Sequence, residues 1–181
     1  MNSRALWGFI AVFAAVTLLA RVAPHVPNMA PVAAFALFIG VHARSRWAWL
    51  LVPVVLTLSN WIIGLYQPGV MAAVYGCFLL TVMIGVFARR YPRLAAVAGG
   101  SVAASTMFFV VTNLAVWASS GMYALTPEGL LLCYVLAVPF FGYTLVGDLV
   151  WNAVFFGSYG AFRRWTHRML LRAPRAAEAA N

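Results

Sequence analysis

The sequence predicts an all-α, polytopic membrane protein: one domain over residues 1–181, built as a six-transmembrane-helix bundle with both termini in the cytoplasm. Three observations predict it. Of the 181 residues, 65% are hydrophobic and 8% charged, with mean hydropathy +0.92, whereas a soluble domain carries roughly 25% charged residues. Apolar runs recur that approach the ~20 residues a helix needs to cross a bilayer. The arginines fall at alternate connections between those runs, as the positive-inside rule requires.

The runs, in order, are Ala5–Val22, a short Pro31–Val41, Trp47–Leu65, Val70–Phe87, Leu94–Ala118 and Phe141–Phe162. The first is longer than the apolar core of a signal peptide and no clean small-residue cleavage site follows it, so it reads as an uncleaved helix. Pro31–Val41 is short for a span, and is read as one after the Pro24–Pro31 turn. Thr126–Phe140 is apolar but opens on Pro127 and Glu128 and contains Pro139, so the expectation is a re-entrant or partly buried helix before the last span. The inner segments of this topology hold eleven arginines, and the outer ones hold Arg21 alone. A seventh span would place the five C-terminal arginines outside, and six is therefore preferred. The basic tail, about 163–181, carries Trp165, Met169 and Leu170 among its arginines. It is expected either to lie on anionic membrane lipid or to be plain flanking charge.

Composition also removes whole classes of function. Net charge is +9 with a pI near 10.6, yet so apolar a chain is not a soluble enzyme, a disordered segment or a nucleic-acid binder. Every basic residue is Arg, so there is neither a P-loop lysine nor a Schiff-base lysine. Three acids, Glu128, Asp148 and Glu178, leave little for paired-carboxylate chemistry. Two distant cysteines make neither a disulfide framework nor a zinc site.

What chemistry remains gathers near the outer connections. His25 and Asn28 lie in the first; Asn60, Trp61, Tyr66, Gln67 and Tyr75 flank the second; Asn113, Trp117 and Tyr123 flank the third. Such a cluster fits a pocket opening outward, and for Trp and Tyr it fits an interfacial aromatic belt equally well. For His25, Asn28 and Asn113 the pocket is the better reading, because buried polar groups cost free energy unless used. Cys77, in Val74-Tyr75-Gly76-Cys77-Phe78, falls about 10 Å below the outer surface. It is either a small buried hydrophobe or a soft ligand for a metal centre brought by a substrate; Cys133 reads as packing. Asp148, the one acid inside a span, reads as a structural contact, with Asn152 one turn on as a candidate partner, although intramembrane acids are functional suspects by default. Ala11/Ala15, Gly99/Ala103 and Gly100/Ala104 have the small-xxx-small spacing of closely packed membrane helices.

The motifs Arg21-x3-His25-x2-Asn28-x2-Pro31, Val74-Tyr75-Gly76-Cys77-Phe78, Phe108-Phe109-x3-Asn113-x3-Trp117, Gly129-Leu130-x2-Cys133-Tyr134-x4-Pro139 and Thr144-Leu145-x-Gly147-Asp148 together resemble the substrate-binding S components of ECF transporters. Cys77, where many members look to have Ser, resembles the BtuM group of solitary vitamin B12 transporters. The resemblance implies a six-helix bundle in the bacterial inner membrane that binds cobalamin at its outer face for uptake. Cys77 would be an axial ligand to cobalt and would assist decyanation of cyanocobalamin. His25 would be a second pocket group, with Asn28 and Asn113 of the shared motifs in its surroundings; from topology rather than any motif, Trp61, Tyr66, Tyr75 and Tyr123 could supply flat apolar surface to the macrocycle. It also implies docking on an ECF energising module through Ala11 and Ala15, although B12-type solitary members are thought to work without a dedicated one. Two alternatives stand beside this: the same fold with another vitamin or small heterocycle and a structural Cys77, or a membrane thiol or haem enzyme or assembly factor with His25 as axial ligand.

Overall fold

A computed structural model of the chain describes residues 3–24, 26, 28–91 and 93–178, with side chains described over 4–24, 26, 28–91 and 94–169. Among these residues the fold is helical throughout: α1 (Ser3–Val22), α2 (Val32–His42), a 3-10 turn Arg46–Leu50 running into α3 (Leu51–Ile63), α4 (Pro68–Ala88), α5 (Arg93–Ser119) and α6 (Pro127–Glu178). Five segments are long and apolar enough to cross a membrane: Arg4–Val22, Arg46–Ile63, Pro68–Ala88, Leu94–Ser119 and Pro127–Met169. Their outward faces carry exposed Leu, Val and Phe, such as Leu131, Leu132, Val135 and Leu136 on α6. Apolar surface that continuous belongs in lipid. The chain is a multi-pass membrane protein.

The short run at Val32–His42 has a different place. At 1.5 Å per residue its 11 residues reach about 16 Å, roughly half a hydrocarbon core. Every residue from Val32 to Gly40 is buried, as expected for a helix apolar on all sides. α2 is the central element that α4, α5, α6 and α1 surround. It meets α4 backbone to backbone: a Cβ on Gly40 would lie 2.2 Å from the Val82 carbonyl oxygen, and one on Gly85 would lie 2.6 Å from that of Leu37. Only glycine permits this approach. Arg89, just past α4, closes the C-terminal end of α2. Its Nε donates to the Gly40 carbonyl at 2.7 Å and its Nη2 to that of Ala43, where helix carbonyls otherwise lack partners.

The expected break before the last span is not there. α6 runs without interruption for 52 residues, about 78 Å. Thr126 caps it by accepting from the Gly129 N–H at 3.2 Å, with Pro127 at the first helical position, where proline costs nothing. Pro139 forfeits one backbone hydrogen bond but is exposed, and contacts to α5 hold the helix on both sides of it. Tyr134 donates to the Val110 carbonyl at 2.7 Å, Ser105 donates to Asp148 Oδ2 at 2.7 Å, and Asn152 donates to Ser101 Oγ at 2.7 Å. These pairs fix α6 antiparallel to α5. Inside lipid, a broken helix would expose more unpaired backbone than a proline removes. The basic tail continues α6 beyond the start of α5.

Candidate binding site

One end of the bundle carries the connections 23–31, 64–67 and 120–126, and of these only 23–31 adjoins an arginine, Arg21. Beneath this Arg-poor end lies a cavity of about 200 Å³. Arg21 and Tyr66 stand at its rim, Val74, Phe78 and Thr81 form the α4 wall, and Thr144 and Asp148 form the α6 wall, with Asn28 beside the latter, since Met29 packs on Gly147 and its carbonyl accepts from Trp151 Nε1 at 2.9 Å. The spacing 74, 78, 81 is one face of a helix. Phe13 of α1 stacks on Phe155 of α6 with ring centroids 4.2 Å apart, and Arg21 and Asp148 each lie about two turns from that contact towards this end, so the two are at about the same level.

The rim is a connected polar group. Arg21 Nη2 donates to Asn60 Oδ1 at 2.8 Å. Buried Asn60 in turn donates through Nδ2 to Tyr75 Oη at 3.3 Å, and that oxygen shares a hydrogen bond with Thr57 Oγ1 at 3.1 Å. Arg21 Nε is buried and has no partner. Tyr66, in the 64–67 connection, has its phenol pushed upward by burial while the neighbouring Arg21 guanidinium pulls it down. Asn28 holds a left-handed backbone, φ +62°, a conformation asparagine tolerates better than most residues.

On the α6 wall, Asp148 is only 3% exposed and accepts from Ser105. The expected Asp148–Asn152 pairing does not form, because α5 presents a serine to each of them. Asn152 Oδ1 is left buried without a partner.

Cys77 is 1% exposed. It sits on α4 between Val74 and Phe78, which line the cavity, but its own thiol is not part of the wall. Cys133 is likewise buried, and both cysteines are free. Its Sγ lies 3.5 Å from the Asn113 carbonyl, the packing role its sequence suggested.

The other expected site residues divide. Asn28 and Tyr66 line the cavity, and Tyr75 reaches it through Asn60 and Arg21. Trp61 does not: with Asn60 turned inward, the next residue on α3 points away, and Trp61 is 76% exposed. Asn113 does not either, since its Nδ2 donates back to the Phe109 carbonyl at 2.7 Å within its own helix. Tyr123 lies in the 120–126 connection, away from the cavity wall. His25 falls outside the described residues, in the connection that supplies Asn28 and Ala30 to the cavity. Sequence reasoning passed over Arg21, Thr81 and Thr144 as cavity groups. For Arg21 a signal existed, since it is the lone exception to the arginine asymmetry; the two threonines carry none.

A family of unknown function, DUF6580, matches residues 1–170. The chain belongs to that family. No curated protein and no solved structure matches it. Among the described residues no three or more His, Cys, Asp or Glu side chains converge on a metal position. The arrangement is suited to holding a partly polar small molecule under a loop, with a thiol immediately behind the wall.

Proposed function

We propose that the chain is an S-component-like membrane transporter that binds cobalamin at its Arg-poor, outward end for uptake across the bacterial inner membrane, with both termini cytoplasmic and six helices counted as the transport bundle. The observation that carries this reading is the place of Cys77: a free, buried thiol on α4, between the cavity-lining residues Val74 and Phe78. A corrin fills the four equatorial positions of its cobalt, so the protein need supply only an axial donor. A thiolate is a strong soft one, and the metal itself favours the deprotonated form. Sulfur donates its electron pair to cobalt(III) as the trans cyanide leaves with the pair of the Co–C bond, which is the route to decyanation. A corrin is larger than this cavity of about 200 Å³, so this reading requires the site to open when cargo is loaded. Ala11 and Ala15 are exposed on α1, a small-residue face open to an energising partner.

The test is the absorption spectrum of purified protein mixed with cyanocobalamin, beside Cys77→Ala. A shifted spectrum in the wild type alone supports cobalt–sulfur ligation; an identical shift in both proteins, or none in either, overturns the role of Cys77. The size of the cavity, and the thiol standing behind its wall, favour a second reading with the same fold and a smaller heterocyclic cargo. Under that reading, cargo binding survives Cys77→Ser.

A further inference from the structure

We infer that Arg21 and Asp148 are the two polar anchors of the cargo, Arg21 taking an anionic oxygen group and Asp148 an N–H donor on the α6 wall of the same cavity. This rests on the binding-site reading above and specifies the chemistry that the site selects.

Arg21 is anomalous by position and by pairing. It is the one arginine at the end of the bundle where the positive-inside rule disfavours a cation. Its hydrogen-bond partners, the Asn60 amide oxygen and the Tyr66 phenol, are neutral, and Tyr75 is its other electrostatic neighbour, with no carboxylate among them. One full positive charge therefore stays uncompensated at the cavity rim. Nε, buried and without an acceptor, is the costly kind of orphan that a native structure keeps for a purpose. An oxyanion at the rim would satisfy Nε and neutralise the charge at once, and the planar guanidinium is shaped for phosphate or carboxylate.

Asp148 is the complementary case. It lines the same cavity, is almost wholly buried, and receives one hydroxyl hydrogen bond from Ser105. A carboxylate accepts several such bonds, and no ion pair joins it to Arg21. An acid and a base on one cavity that do not meet each other leave a place for a molecule carrying both complements. Cobalamin has them, in the phosphodiester of its nucleotide loop and in its peripheral amides. Asn60, Tyr75 and Thr57 act as positioning residues, holding the guanidinium toward the cavity.

The experiment titrates the tryptophan fluorescence of detergent-purified wild type, Arg21→Gln, Arg21→Lys and Asp148→Asn with cyanocobalamin and with dicyanocobinamide, the corrinoid that lacks the phosphodiester. Arg21→Gln is expected to weaken cyanocobalamin binding by about tenfold or more and leave dicyanocobinamide within about twofold, a factor of ten being one lost charge-assisted contact. Arg21→Lys should restore part of the difference. Asp148→Asn should weaken both corrinoids alike, since both carry the amides. Retained dicyanocobinamide binding doubles as proof that Arg21→Gln is folded. Equal weakening of both corrinoids by Arg21→Gln, or of neither, overturns the anion assignment; unchanged binding by Asp148→Asn overturns the donor assignment. If the wild type binds neither corrinoid, the cobalamin reading fails, and inorganic phosphate then decides the anion site. A rise in the wild-type unfolding midpoint over chloride of equal ionic strength, absent in Arg21→Gln, sustains it, and no rise overturns it.

Discussion

Two arginines mark the two ends of the bundle, and they are spent differently. Arg89, at the Arg-rich end, gives its Nε and Nη2 to the Gly40 and Ala43 carbonyls that end α2, and the cavity of about 170 Å³ beside it is walled by the aromatic rings of Tyr91 and Phe156. Burial lowers the pKa of its guanidinium, and the like charge of Arg44 lowers it further. Arg21, at the Arg-poor end, bonds only side chains, the Asn60 amide and the Tyr66 phenol, and keeps its Nε buried with no acceptor. The first arginine completes a helix; the second is held in place by Asn60 and faces a cavity. Their charge is the same, and what separates binding from building is whether backbone carbonyls have already claimed the donors.

The sharpest way to break this contrast is through the element on which the Arg-rich end is built. Gly85→Leu places a side chain where a Cβ alone would lie 2.6 Å from the Leu37 carbonyl oxygen and 2.8 Å from Gly40 Cα. Backbone cannot swing aside as a flexible side chain can, so α2 and α4 must separate. A loss of about 3 kcal/mol or more is expected, read as a large drop in unfolding midpoint in detergent or as absence of folded protein. If Gly85→Leu melts like the wild type, the close crossing is not what seats α2.

Arg89→Gln comes next. It leaves the Gly40 and Ala43 carbonyls without their charged donor, at a cost of about 1–2 kcal/mol, and thermal unfolding measures it. Cargo affinity at the other end should stay within about twofold, because α2 keeps its glycine contact with α4. A variant as stable as the wild type but weakened in binding would reverse the roles assigned to the two arginines.

These particulars also show how far the sequence could be read. The long apolar helices were legible from hydropathy alone, because burial in lipid imposes length and composition directly. The central place of α2 was not. An apolar 11-residue run reads the same whether lipid or protein surrounds it, and what decides is the Gly40–Gly85 contact, which lies 45 residues apart in sequence. Pro139 misled for a related reason: proline's local penalty is readable, while the α5 contacts that outweigh it, Tyr134–Val110 above and Ser105–Asp148 below, are long-range. At the site, residues called from their nearness to an outer connection were sorted by helix phase. Tyr66 and Tyr75 joined the Arg21 group, Asn28 lined the cavity, and Trp61 and Asn113 turned elsewhere.

That sorting yields the smallest expected effect. Trp61→Ala removes a large side chain that is 76% exposed on α3, one position beyond Asn60. If phase governs the site, cargo affinity should remain within about twofold and the unfolding midpoint within a degree or two, since exposed positions usually change stability by less than about 0.5 kcal/mol. The companion Asn60→Ala, one residue earlier, releases Arg21 Nη2 and the Tyr75 hydroxyl together and should weaken binding by several-fold. Equal losses from the two would mean that the aromatic face of α3 itself touches the cargo, as the first reading of the outer connections allowed. A large loss from Asn60→Ala against none from Trp61→Ala would place the recognition group where α3 turns inward, around a guanidinium that the bundle orients without neutralising.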